Sequence, residues 1–203
     1  MNKESKLFTV IFTFVSTFAF VLILSIINFA TTARIKRNEE LFKIRAILNA
    51  FGFEYKSDQE AFKIFNEKVS TQKIRDVVVY KATVNGEEYL AFIFTGSGLW
   101  GTIQGVIAFD SNIEKVVGID FISHSETPGL GGRIEEKWFK DQFKGKKIPD
   151  GGFVLRIGGS GDYDPDSGRF DAITGATSTS KAVEKIVNEA ILTFKKVVGG
   201  ERR

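Results

Sequence analysis

The chain has 203 residues, with 28 Lys and Arg against 25 Asp and Glu and a formal net charge of +3, a balance that excludes the strongly basic footprint of a nucleic-acid binder. It contains no cysteine and one histidine, which excludes disulfides, thiolate metal sites, cysteine nucleophiles and a multi-histidine metal centre. Any redox chemistry has to come from a bound organic cofactor.

The length fits one domain with an appended segment. Leu7 to Ala30 carries no charge and lies between Lys3, Glu4 and Lys6 on one side and Arg34, Lys36 and Arg37 on the other. As a helix it reaches roughly 36 Å, enough to cross a hydrocarbon core of about 30 Å. Residues 1–33 are read as an N-terminal transmembrane anchor and 34–203 as the soluble domain. A cleaved signal peptide is the alternative, but its apolar core is usually about 7 to 15 residues long, and Ala30-Thr-Thr-Ala33 is a poor cleavage site. The basic residues near the two ends slightly favour a cytoplasmic domain. Thr9, Thr13, Ser16, Thr17, Ser25 and Asn28 within the span suit packing against neighbouring membrane helices.

Beyond the anchor, Ile35 to Phe51 has the spacing of an amphipathic helix, ended by Gly52. A short helix follows from Asp58, as N-cap, to Lys68. The period then changes to that of strands. Ile74–Val84 and Tyr89–Phe94 flank Asn85-Gly86, a strong hairpin signal. Thr95 to Gly101 holds three glycines and Trp100, a loop that either joins strands or lets backbone approach a flat ligand. Ile103–Phe109 and Val116–Ile122, joined at Asp110-Ser-Asn112, complete a four-strand antiparallel run.

Ser123 to Gly132 contains one proline, three glycines, a carboxylate and hydroxyls, a composition for a fixed loop that aims backbone amides and Glu126 at a ligand. His124 reads as a satisfied loop histidine. A helix at Arg133–Phe143 comes next, with Ile134, Trp138 and Phe139 inward, then Lys144-Gly-Lys-Lys147 as a solvated loop. Phe153–Ile157 is the last strand, and Gly158–Arg169 is a long loop delivering the chain to Asp171. The fold class is α+β, an antiparallel sheet covered by helices, with one N-terminal transmembrane helix.

The remaining stretch is Asp171-Ala-Ile-Thr-Gly-Ala-Thr-Ser-Thr-Ser180. After it, Ala182, Val183, Ile186, Val187, Ala190, Ile191, Phe194 and Val198 fall on one helical face, so the helix starts at the hydroxyl cluster. Thr177, Ser178, Thr179 and Ser180 are residue types that cap first-turn amides, and those same amides and the dipole favour a phosphate. An ordinary Ser/Thr-rich cap and an anion site are both open on this stretch alone.

Three segments together resemble a known family. His124-Ser-Glu-Thr-Pro-Gly-Leu-Gly131, the Gly98-Leu-Trp100 turn and Asp171-Ala-Ile-Thr-Gly-Ala-Thr177 are similar, in the same order, to the FMN-binding domain of the G subunit of Rnf electron-transport complexes, and to the related C subunit of the sodium-pumping NADH:quinone reductase. The resemblance covers the anchor and nearly the whole soluble region, and the compact length looks more like the Rnf protein. It implies a membrane-anchored electron-transfer subunit of an ion-translocating ferredoxin:NAD+ oxidoreductase. FMN would be covalently esterified through its phosphate to Thr177. Thr174, Gly175, Ala176 and Ser178 would shape the attachment turn, and Asp171 would belong to the signature read by a magnesium-dependent flavin transferase that takes FMN from FAD. Glu126, Thr127, Gly129, Leu130 and Gly131, with Leu99 and Trp100, would border the flavin. The partners implied are the other membrane and redox subunits, the transferase and the membrane itself, with the soluble domain on the outer side. The alternatives are the quinone-reductase C subunit and a tethered flavin-binding regulatory module that shuttles no electrons.

Overall fold

The computed structural model describes residues 6–199; Lys3 and Glu4, which flank the apolar run, lie outside the described residues. The chain divides into two compact units between Leu41 and Phe42. Helix α1 runs from Lys6 to Phe51, so the apolar segment and the amphipathic segment are one helix. No glycine or proline lies between them to break it. Among the described residues it is the one helix long and apolar enough to cross a membrane. Gly52, at φ +82°, ends it: the amide of Gly52 bonds the Asn49 carbonyl at 3.0 Å and that of Phe53 bonds Leu48 at 2.9 Å, a Schellman closure.

The second unit is built on five strands, β1 (Val69–Ile74), β2 (Val77–Val84), β3 (Glu87–Ser97), β4 (Thr102–Asp110) and β5 (Val116–Ser123), in sequence order and antiparallel throughout. The expected four-strand run is thus five, because a further strand, β1, precedes the expected Ile74–Val84 strand and pairs with it as a hairpin. Arg75, at φ +54°, turns the chain between β1 and β2 without glycine or asparagine. Asn85 and Gly86, at φ +53° and +86°, make the second turn as expected, both in the left-handed region that a two-residue hairpin loop requires. Helix α2 (Asp58–Lys68) is capped by Ser57 rather than Asp58: the Ser57 hydroxyl accepts the Glu60 amide at 3.2 Å.

Side-chain alternation gives the sheet two buried faces. Tyr80, Ala82, Ala91, Val106 and Ala108 pack against Ala46, Ile47, Ala50 and Phe51 at the end of α1. These small residues allow close approach, and a side chain on Gly118 would meet the Ala50 carbonyl at 2.6 Å. The opposite face, with Phe92, Phe94, Ile107 and Phe109, packs against the final helix, α4 (Thr177–Gly199). Phe194 of α4 stacks on Phe92 and Phe109 with ring centroids 4.6 and 5.1 Å away. That helix takes the spacing expected of it, with Val183, Val187 and Phe194 fully buried.

The segment between sheet and α4 differs most from expectation. A 3-10 turn (Gly131–Glu135) and a five-residue helix α3 (Lys137–Asp141) replace one helix over 133–143. The break is at Glu136, which is extended (φ −65°, ψ 141°) while its carboxylate accepts from Arg133 and the Trp138 indole. Lys144–Lys147 is not simply a solvated loop: Lys146 is buried, and its ammonium donates to the Asp162 carboxylate and carbonyl, the Ser167 hydroxyl and the Arg169 carbonyl. Strand β6 (Val154–Arg156) pairs in parallel with β7 (Arg169–Asp171), a partner the sequence did not suggest.

Candidate functional site

The Asp171–Ser180 stretch splits into residues that face inward and residues that face out. Asp171 is fully buried. Its carboxylate accepts two bonds from the Arg156 guanidinium, at 2.6 and 2.9 Å, and one from the Gly161 amide at 2.8 Å. The Arg156 pairing, opposed by burial and aided by the Gly161 bond, holds this carboxyl below the usual range, and the same pair raises Arg156. The Asp171 amide and carbonyl are both taken by the buried Gln142 side chain. Asp162, one step behind, is pushed up by burial but held below its ordinary value by Lys146 and Ser167.

Ile173 to Ala176 forms a tight turn, with the Ala176 amide on the Ile173 carbonyl at 2.9 Å and Gly175 at φ +79°. Thr174 and Gly175 are exposed and Ala176 is buried. Helix α4 begins at Thr177. The two inner hydroxyls do not cap it. Ser180 Oγ accepts the Ile173 amide and donates to the Ala176 carbonyl, each at 3.0 Å, while Thr179 Oγ1 donates to Glu126 Oε2 at 2.5 Å. Among the described residues the amides of Thr177, Ser178 and Thr179 meet no acceptor, and the half-buried Thr177 hydroxyl and exposed Ser178 hydroxyl have no hydrogen-bond partner. The ordinary-cap reading is therefore not what the structure shows. The helix start offers three amides, a positive dipole end and a hydroxyl together.

Glu126 ties the other two segments to this turn. It is buried, with Oε1 accepting the Leu99 and Trp100 amides at 2.8 and 3.1 Å and Oε2 accepting Thr179. Both of its oxygens brace the loops. Gly98 and Gly131 are required by this packing, since a side chain on Gly98 would strike the Glu126 carboxylate and one on Gly131 would meet Thr179 Oγ1 at 2.5 Å. The Thr127 carbonyl accepts the amides of Leu130 and Gly132 at 3.1 and 3.0 Å, closing a turn with Gly129 at φ +74°. Thr127 and Gly129 are exposed, and a side chain on Gly129 would meet open space. Leu130 reaches the attachment turn, its Cδ2 3.3 Å from where a Gly175 side chain would begin. His124 Nδ1 accepts the Glu126 amide at 3.1 Å and so supports the loop, but it is not fully satisfied: buried Nε2, 3.1 Å from a Glu135 carboxylate oxygen, makes no hydrogen bond.

The three segments thus meet through Glu126, and on the joined loops Leu99 (54% exposed), Trp100 (70%) and Leu130 (45%) are exposed. Free amides at a helix start together with exposed apolar side chains fit a flat phosphorylated cofactor such as FMN. The sequence reads Thr179 as a cap hydroxyl and Lys146 as a solvated lysine and does not single out Gln142 or Arg156, yet all four hold the site from beneath.

The family described as the FMN-binding domain matches residues 98–192, which includes every site segment. The G subunit of the proton-translocating ferredoxin:NAD(+) oxidoreductase complex of Clostridium ljungdahlii is 31% identical over 68% of this chain and 71% of its own length. The chain belongs to this family of FMN-binding proteins. A second G subunit, from the ion-translocating oxidoreductase complex of Aliivibrio fischeri, is 28% identical over 95% of this chain and 90% of its own. The C subunit of the Na(+)-translocating NADH-quinone reductase of Pseudomonas aeruginosa is 33% identical over 60% of this chain, and the match spans only 50% of that relative's length. The solved C subunit of the Na(+)-translocating NADH-quinone reductase from Parabacteroides distasonis shares the fold, with a TM-score of 0.62 and 27% identity over 76% of this chain and 90% of that one. The expected family and the α+β fold with its antiparallel sheet are borne out.

Proposed function

We propose that this FMN-binding chain is a membrane-anchored electron-transfer protein, holding FMN as a phosphoester of Thr177 within an ion-translocating ferredoxin:NAD+ oxidoreductase. The observation that carries the reading is the Thr177 hydroxyl, free of partners at the first residue of α4 beside three free amides. FMN, when bound, supplies reversible electron uptake and release. The chain's part is to hold it.

Attachment would join the Thr177 oxygen to the FMN phosphorus of FAD as the bond to the AMP half breaks, with AMP leaving together with the hydroxyl proton. Nothing is oxidised or reduced. Among the described residues Thr177 has no base within hydrogen-bond reach, so removal of the proton falls to the flavin transferase. The amides of Ser178 and Thr179 would hold the phosphate, the positive end of α4 would stabilise its charge, and Gly175 and Ala176 would keep the turn free of bulk. Leu99, Trp100 and Leu130 would shield the flavin from water. Asp171 contributes by holding the turn through Arg156.

Residues 1–33 serve as the anchor and 34–203 as the carrier domain, on the outer side of the membrane, beside the other membrane and redox subunits. The two G-type relatives match over 71% and 90% of their lengths against 50% for the C-type relative, which favours the G role. The test is denaturing-gel fluorescence and intact mass on protein co-expressed with a flavin transferase, native against Thr177→Ala. A fluorescent band with an FMN-sized increment, both lost in the variant, is expected. An unmodified native chain beside an active transferase would overturn the assignment.

A further inference from the structure

The sheet has one edge that its own domain leaves open. β2 and β3 pair from Val84↔Glu87 to Val79↔Phe92 and then part. Val78 and Val77 stay with β1, opposite Lys73 and Ile74, whereas β3 continues with β4 alone, from Ile93↔Val106 to Ser97↔Thr102. The fork opens a cleft of about 510 Å³, lined by Val78 and Tyr80 of β2 and by Ile186 and Ala190 of α4. In an antiparallel strand every second residue turns its N–H and C=O toward each side. From Phe94 to Ser97 those turned away from β4 meet no protein partner among the described residues.

Other edges are partly paired or guarded. At the start of β5, Val116 exchanges both backbone bonds with Gly145 and Lys146. Asn188 of α4 pairs with both the amide and the carbonyl of Phe153 beside β6, and Glu184 accepts the Leu155 amide. Outer strand β1 is polar and carries Lys73. Phe94-Thr-Gly-Ser97 has neither charge nor proline to turn a strand away.

We infer that this fork is a docking slot for an extended segment of a neighbouring protein of the complex, added as a strand beside β3. The inference rests on the proposed membership of a complex. An exposed ladder of alternating N–H and C=O groups is matched by extended main chain at about 3.3 Å per residue, which neither lipid nor a small molecule provides. A second copy of this chain is a poor occupant, because its own free ladder is recessed in the same fork. Side chains of the incoming segment meet Ile186 and Ala190 as well as Val78 and Tyr80, while Lys43, Asp76 and Glu189 also line the cleft, so the segment combines apolar with polar or charged positions. β3 runs directly into the Gly98–Gly101 turn that presents Leu99 and Trp100, so a strand docked here ends beside the proposed flavin face.

The test compares hydrogen exchange of the peptide spanning 92–98 in the complex purified from native membranes and in the separated full chain. Exchange about tenfold slower in the complex, with β1 unchanged, is expected. Thr95→Cys, the only cysteine such a chain would hold, should crosslink through a benzophenone maleimide to one partner peptide. Thr95→Lys should cut co-purification of that partner about tenfold while melting temperature and FMN on Thr177 stay as in the native chain. Equal exchange in the two samples, with Thr177 carrying FMN and the partners present, overturns the slot alone. A chain that purifies from membranes without other subunits overturns the slot and the complex together.

Discussion

The outer and inner sides of the Asp171–Ser180 stretch use the same residue types for opposite ends. Outside, Thr174, Thr177 and Ser178 keep their hydroxyls free. Inside, Asp171, Thr179 and Ser180 are buried and every side-chain oxygen is engaged. An unpaired polar group is inexpensive in water and costly in the interior, so burial decides which hydroxyls can be left for chemistry. The stretch is half open surface, where the proposed attachment would lie, and half foundation, within ten residues.

The contrast breaks most sharply at Thr177. Thr177→Ala should abolish covalent flavin, read by intact mass, and change stability by no more than about 0.5 kcal/mol, since no bond within the chain is lost. Thr177→Ser should keep the modification. The foundation should respond the other way. Lys146→Met leaves the Asp162 carboxylate without its buried cation and should destabilise by about 3–5 kcal/mol in urea unfolding. Glu126→Ala strands two amides and a hydroxyl and should lose about 3 kcal/mol. Glu126→Gln should recover most of that, because its carbonyl can accept the Leu99 and Trp100 amides while its NH2 donates to Thr179. Failure of the glutamine variant to recover would show that the charge, and not the bonding pattern, holds the loops.

Acid gives a gentler comparison. Asp171 and Asp162 both titrate below their ordinary values when folded, so the unfolded chain takes up protons first as pH falls. Their contribution is present above about pH 3.9, the unfolded value, and is lost as pH drops through the folded ones. Melting temperature followed from pH 7 to pH 2 should fall on that acid limb. Arg156→Gln, by raising folded Asp171 toward its unfolded value, should flatten it.

Much of the surface side was legible in the sequence. The three motif loops were found from glycine, proline and hydroxyl placement, and they meet in space. Helix α4 followed from its period, and the second hairpin from Asn85-Gly86. The foundation was hidden because its pairs are distant in sequence: Glu126 and Thr179 are 53 residues apart, and Lys146 and Asp162 are 16. Lys146 lies between Lys144 and Lys147, and no local property separates the buried lysine from its exposed neighbours. Strand β1 was missed because Ser70-Thr-Gln-Lys73 is exposed and shows no alternation, and because Arg75-Asp76 makes its turn without glycine or asparagine. The hydroxyl cluster gave the start of α4 but not which hydroxyls would turn inward, a choice made by Glu126 from another loop.

Helix α4 has Thr177 at its first residue and, near its far end, the Phe194 ring wedged against Phe92 and Phe109. If FMN is carried on that first residue as proposed, it would be fastened to a strut whose far end is seated in the buried aromatic core. A tug or tilt applied to the cargo is borne by the whole domain, leaving a swinging arm little room to form, so the reach of such a carrier is set by movement of the domain as a body.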